Sequence, residues 1–155
     1  MPDPPHELRI RAATSDDARA WTRLRHELWP EESLEDLTDD VRAFFAGDRR
    51  QLQAVFVAQG GSMDAIGFAE MNFRPYAEGC SSDRVAFLEG WYVEPAFRGR
   101  GLGRALIRAC EDWARSAGCT EFASDALADN RQGHLAHLGV GFEEVEVIRC
   151  FRKDL

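Results

Sequence analysis

Residues 87–118, FLEGWYVEPAFRGRGLGRALIRACEDWARSAG, constrain the fold more than any other stretch of the chain. An apolar strand pattern runs up to Pro95, three glycines (Gly99, Gly101, Gly103) and three arginines (Arg98, Arg100, Arg104) follow, and a helix then extends from about Gly101 to Ala117 and is ended by Gly118. A glycine-rich turn between a strand and a helix leaves backbone N–H groups free and adds the positive end of the helix dipole. Such a turn is an anion site, and phosphate is its usual guest. Two familiar versions are excluded: no Gly-Lys-Ser/Thr is present to hold a nucleotide triphosphate with its magnesium, and the glycine spacing is not that of the dinucleotide fingerprint. The bland alternative, a tight turn with snorkelling arginines, stays open on these residues alone.

The rest of the chain surrounds this unit with mixed α/β structure. After a proline-rich tail, LRIRAA (8–13) alternates like a strand, and Thr14 or Ser15 with Asp16 and Asp17 caps a helix carrying Ala18, Trp21, Leu24 and Leu28 that stops at Trp29-Pro30. A second capped helix starts near Ser33 and closes at Gly47, with Leu34, Leu37, Val41, Phe44 and Phe45 on one face. The period then falls to two. QAVFVAQ (53–59), the turn GGSMD, AIGFAEMNFR (65–74), the loop PYAEGCSSD and RVAFLEGWYVE (84–94) predict consecutive antiparallel strands. Beyond the glycine turn and its helix, CTEFASDA (119–126) is a short strand, ADNRQGHLAHLG (128–139) a helix, and GFEEVEVIRCFRKD (141–154) one long or two short final strands. No repeat or linker interrupts residues 1–155, so one domain is expected.

Acidic residues outnumber basic ones 27 to 19, for a formal charge of −8. That balance excludes a general nucleic-acid binder and suits a cationic small partner, or simply a soluble surface. No apolar run approaches the ~20 residues of a membrane span, and the four cysteines have neither zinc-site pairing nor disulfide density, so reduced thiols and a cytoplasmic location are expected. His134 and His137 lack an acidic or thiol companion at matching spacing, and no metal is expected.

The strand FLEGWYVEP followed by Arg98-Gly99-Arg100-Gly101-Leu102-Gly103 resembles the pyrophosphate-binding motif of the GCN5-related N-acetyltransferases, and the element order agrees along nearly the whole chain. The resemblance implies that family's fold, a mixed and mostly antiparallel sheet flanked by helices, and acetyl-CoA as co-substrate. It implies that Trp91, Tyr92 and Val93 line the pantetheine arm, that Gly99 through Arg104 hold the phosphates, and that Asn130 also reaches the cofactor. LRHELWP (24–30), Tyr76-x-x-Gly-Cys80, FLEG (87–90), ASD (123–125) and GFEE (141–144) are similar to segments of aminoglycoside 6'-N-acetyltransferases, in particular their small dimeric branch. By that similarity Trp29, Tyr76, Glu89, Asp125 and Glu146 match positions that touch the aminoglycoside, of the kanamycin and tobramycin class. Glu31 and Glu32, the latter a further candidate contact, fall where the branch varies. The implied role is drug resistance, carried out by a homodimer.

The chemistry can be argued from the residues as well. Acetyl transfer to an amine needs a polarised carbonyl and a group that removes the amine's proton. Val93, two residues before Pro95, is the candidate amide donor, because proline helps the strand diverge and leaves nearby amides available. Glu89 lies mid-strand where an apolar or small residue is expected, so it is the candidate base; a solvated outward-facing acid is its alternative. Asp125 is either a ligand or the cap of the next helix, and Glu146 is either an exposed strand acid or a pocket acid reaching across a dimer interface. Trp29 and Tyr76 offer stacking faces for a polycationic sugar. No tyrosine lies in DNRQGHLAHLG, so no general acid is assigned, and no cysteine carries a basic pattern that would mark a nucleophile. Other readings are an acetyltransferase for another amine, such as a polyamine or a protein N-terminus, or a non-catalytic acyl-CoA-binding regulator.

Overall fold

The computed structural model describes residues 8–61 and 64–155; the tail before Leu8 and two residues of the GGSMD turn lie outside the described residues. Five strands form one sheet in chain order: β1 (Leu8–Ala12), β2 (Ala54–Gly60), β3 (Ala65–Arg74), β4 (Val85–Val93) and β5 (Phe122–Ser124). Neighbours from β1 to β4 are antiparallel, whereas β5 runs parallel to β4. A parallel pair needs a long crossover, and the glycine turn with its helix supplies one. The helices are α1 (Ala18–Leu28), α2 (Leu34–Phe45), α3 (Leu102–Ser116) and α4 (Arg131–Gly139).

Local chemistry sets the helix starts. A 3₁₀ turn, Ser15–Asp17, leads into α1, and Asp17 accepts the Thr14 amide at 2.8 Å and both guanidinium nitrogens of Arg11 at 2.7 and 2.8 Å. Burial alone would raise the Asp17 carboxyl, yet these donors hold it below the ordinary range. Ser33 Oγ accepts the Asp36 amide at 3.0 Å and starts α2.

The helices cover both faces of the sheet. On one, Leu102, Leu106, Ile107 and Cys110 of α3 pack on Ala69, Met71, Leu88 and Val93. On the other, Trp21 and Leu24 of α1 and Val41 and Phe44 of α2 pack on Val55, Val57 and Phe68. Each large apolar side chain buried this way contributes roughly 1.5–3 kcal/mol.

Three expectations need correction. The segment 141–154 forms no strand, and beyond Phe142 it is exposed, with Val147 69% and Phe151 92% accessible. Strand pairing needs a neighbour for its amides, and no described residue supplies one. Among the described residues the tail is held near its root, where Phe142 meets Phe122 with ring centroids 5.0 Å apart, Glu144 lies 2.9 Å from His134 and Val145 packs on Gly79. Helix α4 starts at Arg131 instead of 128, because Asn130 caps it by accepting the Gly133 amide at 2.9 Å. Asp125 therefore does not cap this helix. Finally, β5 keeps only the middle of 119–126.

Candidate active site

The β4–β5 ladder pairs Ala86, Phe87 and Leu88 with Phe122, Ala123 and Ser124 and ends there, while β4 continues to Val93. From Glu89 onward one edge of β4 lacks a strand neighbour among the described residues. The register against β3 slips at the same point: Met71 pairs with Leu88 and Glu70 with Gly90, leaving Glu89 as the extra residue of a bulge. As a result Leu88 and Trp91, three residues apart, both face α3. Gly90 permits the distortion on its other side, since a Cβ there would lie 2.7 Å from the Trp29 ring.

The open edge carries the expected amide. Glu94 donates its N–H to Ile66 of β3 at 2.9 Å, so by strand alternation Val93 presents its backbone to the opposite side. The Val93 carbonyl on that side is held by Arg98 Nε at 2.8 Å. Trp91 packs its ring on Gly103, and its indole Nε1 is buried without a partner. An orphaned buried donor on an open strand edge fits a ligand carrying polar acceptors. Tyr92 differs: its side chain turns to the α1 face, where its hydroxyl donates to Glu27 at 2.9 Å.

At the end of this edge, Gly99 and Gly101 have φ values of 75° and 80°, a left-handed geometry that other residues adopt only at a cost. No atom lies within 4 Å of where either Cβ would be, so conformation, not space, demands glycine. Gly101 is the N-cap of α3 and brings no side-chain cap. The first-turn amides, from Leu102 to Arg104, face outward with the helix dipole behind them. The arginines behave partly as the bland alternative expected. Arg98 lies over Tyr92 at 5.3 Å, Arg100 over Phe97 at 5.4 Å, and Arg104 donates to the Gly139 carbonyl at 2.6 Å. They brace the loop and leave its amides as the candidate binding groups. Asn130 spends its side-chain oxygen on the α4 cap.

On the other side of the opening, Glu89 is half-buried and takes Arg74 in a two-pronged ion pair, Nε–Oε1 3.0 Å and Nη2–Oε2 2.7 Å. Asp125 follows β5 directly and is exposed, and its charge, with that of Glu78, acts on Arg74. Trp29 comes from the end of α1 to Gly90, beside Glu89. Tyr76 is 65% accessible, and Glu32 is also exposed. Glu146 stands exposed on the tail; among the described residues no hydrogen bond or ion pair joins it to Glu89 or Asp125.

Two groups were not anticipated from the sequence. One is Arg74, whose reach to Glu89 depends on the bulge. The other is a buried network under Trp29: Glu70 Oε1 accepts Trp21 Nε1 at 2.8 Å and lies 2.8 Å from Arg25 Nε, while Arg25 pairs with Asp40 at 3.2 Å and stacks over Trp29 at 5.3 Å. Burial pushes the Glu70 carboxyl up to about 7 against the pull of Arg25 and Trp21. An acid flanked by Ala69 and Met71 in a strand packed on both faces was the available signal. Burial also pushes the Cys110 thiol up to about 12, and burial with Glu121 raises Cys80, so neither is a ready thiolate.

Residues 19–142 match the family described as Acetyltransferase (GNAT) family. An aminoglycoside N(6')-acetyltransferase type 1 of Klebsiella aerogenes is 46% identical over 146 residues, covering 94% of this chain and 96% of that protein. Among solved structures, the aminoglycoside N-acetyltransferase AAC(6')-Iy in complex with CoA superposes with a TM-score of 0.89 at 34% identity, covering 100% of this chain and 99% of its own. AAC(6')-Iy in complex with a bisubstrate analogue, CoA-S-monomethyl-acetylneamine, gives a TM-score of 0.87 at 35% identity and covers 96% and 99%.

Proposed function

Because the chain belongs to the acetyltransferase (GNAT) family, we propose that it transfers the acetyl group of acetyl-CoA to the 6'-amine of aminoglycoside antibiotics. The observation that carries this reading is the bulge at Glu89, which sets one acid at the mouth of the β4–β5 opening, opposite an uncapped glycine loop. The similarity to proteins named aminoglycoside N(6')-acetyltransferase supports the choice of acceptor.

Bound acetyl-CoA supplies an activated acetyl thioester. The amides of Gly99 through Arg104 hold its pyrophosphate, and the open edge of Trp91 to Val93 receives the arm. The Val93 N–H donates to the carbonyl oxygen as that oxygen gains negative charge. Glu89 holds the 6'-ammonium and takes its proton, directly or through water, so that a neutral amine attacks the thioester carbon; the C–S bond breaks, the coenzyme A thiolate leaves and is protonated by solvent, and the nitrogen sheds its second proton to water. Asp125 and the face of Trp29 hold the rest of the cationic sugar, with Tyr76 and Glu32 at its rim. Loss of the 6' charge weakens the drug's attraction to ribosomal RNA phosphates, and resistance follows.

The protein acts as a single-domain enzyme in the cytoplasm and works as a homodimer. The exposed tail supports the dimer: Val145, Val147, Ile148 and Phe151 are accessible on a strand-like segment, and the outer edge of β5 has no neighbour among the described strands. Exchange of tails between two chains pairs both, and brings Glu146 toward the partner's cleft.

A panel of aminoglycosides with and without a 6'-amine, assayed for release of coenzyme A, tests this reading. Release is expected with 6'-amino drugs alone. Absence of release with every 6'-amino drug rejects it.

A further inference from the structure

Arg74 engages the same carboxylate that the proposed function assigns to the substrate ammonium. Its guanidinium lies 3.5 Å from the centre of the Phe87 ring, both of its prongs are on Glu89, and the charges of Asp125 and Glu78 act on it. Among the described residues no backbone carbonyl holds it, and its side chain is 39% accessible, so it is placed by charge and stacking at the cleft surface. A carboxylate with both oxygens on a guanidinium keeps only its outer lone pairs, and much of its charge is already neutralised when an amine arrives. We propose that Arg74 is a resident cation of the acceptor cleft, which neutralises Glu89 when the cleft is empty and is displaced by the acceptor's own ammonium group.

The exchange trades one cation on Glu89 for another. It requires the release of a flexible, half-exposed side chain that can swing into solvent, and it breaks no covalent bond. It also acts as a selectivity filter. A monocationic amine gains little by replacing a two-pronged guanidinium, whereas a polycation that also meets Asp125 gains a second ion pair in the same event. The cleft therefore favours acceptors with several ammonium groups.

This inference rests on the acceptor reading above, and the test separates the two. Acceptor binding is measured by calorimetry with kanamycin in the presence of coenzyme A, for the wild type, for Arg74→Met, which keeps a stem on Phe87 without charge, and for Arg74→Lys, which cannot make the fork. Affinity is expected to rise about three- to tenfold in Arg74→Met and less in Arg74→Lys, as expected for loss of a partly exposed ion pair. Added methylguanidinium should compete with kanamycin in Arg74→Met and barely affect the wild type. Weaker or unchanged acceptor binding in both variants, or methylguanidinium that improves binding, overturns the proposal and makes Arg74 a fixed brace for Glu89. Unchanged coenzyme A affinity reports that a variant is folded, and if Arg74→Met does not fold, Arg74→Lys decides alone. A wild-type protein that neither binds nor acetylates kanamycin refutes the acceptor reading instead.

Discussion

Glu89 and Glu70 are near neighbours in the sheet with opposite assignments. Glu89 is the bulged residue at the opening, partly accessible, and engaged by a cation that can leave. Glu70 is 1% accessible and is locked between Trp21 and Arg25. Glu89→Gln keeps the shape and removes the proton acceptor, so kcat/KM for kanamycin should fall about 10²- to 10⁴-fold while coenzyme A binding is retained. Steady-state kinetics with calorimetry checks both halves. For Glu70 the sign follows from proton linkage. Its folded-state carboxyl is raised from the ordinary 4.5 to about 7 by burial, so the folded chain holds the proton more tightly than the unfolded one. This contribution favours the folded state most at low pH and is lost as pH rises from about 4.5 through about 7. Urea unfolding between about pH 5 and about pH 8 should show this loss of stability, and Glu70→Gln should flatten the slope.

At the scale of elements, the glycine turn is the part most fully legible in the sequence. The strand, turn and helix from Val85 to Ser116 have the expected order, because Pro95 and the glycines dictate backbone geometry locally. Gly101→Ala should cost about 1–2 kcal/mol from its positive φ, and should raise the Kd for coenzyme A more than that for kanamycin, as titration of each ligand would show. The acceptor side was legible only as residue types. Glu89, Asp125 and Trp29 are visible in the sequence, but their meeting depends on a one-residue slip between β3 and β4. Only Gly90 hints at that slip, as a glycine inside an apolar strand. Arg74 ends a strand before Pro75 and reads as an ordinary surface arginine until Phe87 and Glu89 are placed beside it. Gly90→Ala should displace Trp29 and weaken kanamycin binding while the glycine loop continues to bind coenzyme A; a binding titration checks it.

Over the whole molecule, the final strands are where reading the sequence and folding one chain part company. The alternation in EEVEVIRCF is a strand pattern, but the segment forms no strand among the described residues and stays exposed; under the proposed tail exchange its pairing partner is a second chain. If tails exchange as proposed, deleting residues 143–155 should halve the sedimentation mass and reduce acetylation strongly, because the deletion would remove the cover of β5 and Glu146 together. A truncated protein that remains dimeric would refute tail exchange. Transfer is assigned to one nitrogen atom of the drug, and the direct measurement is the position of the acetyl group on the product. Kanamycin incubated with the enzyme and acetyl-CoA, then analysed by NMR, should carry a single acetyl group on the 6'-nitrogen, and a related drug with a 6'-hydroxyl should be recovered unchanged. An acetyl group on any other nitrogen, or unmodified kanamycin after extended incubation with active, coenzyme A-binding protein, would contradict the account.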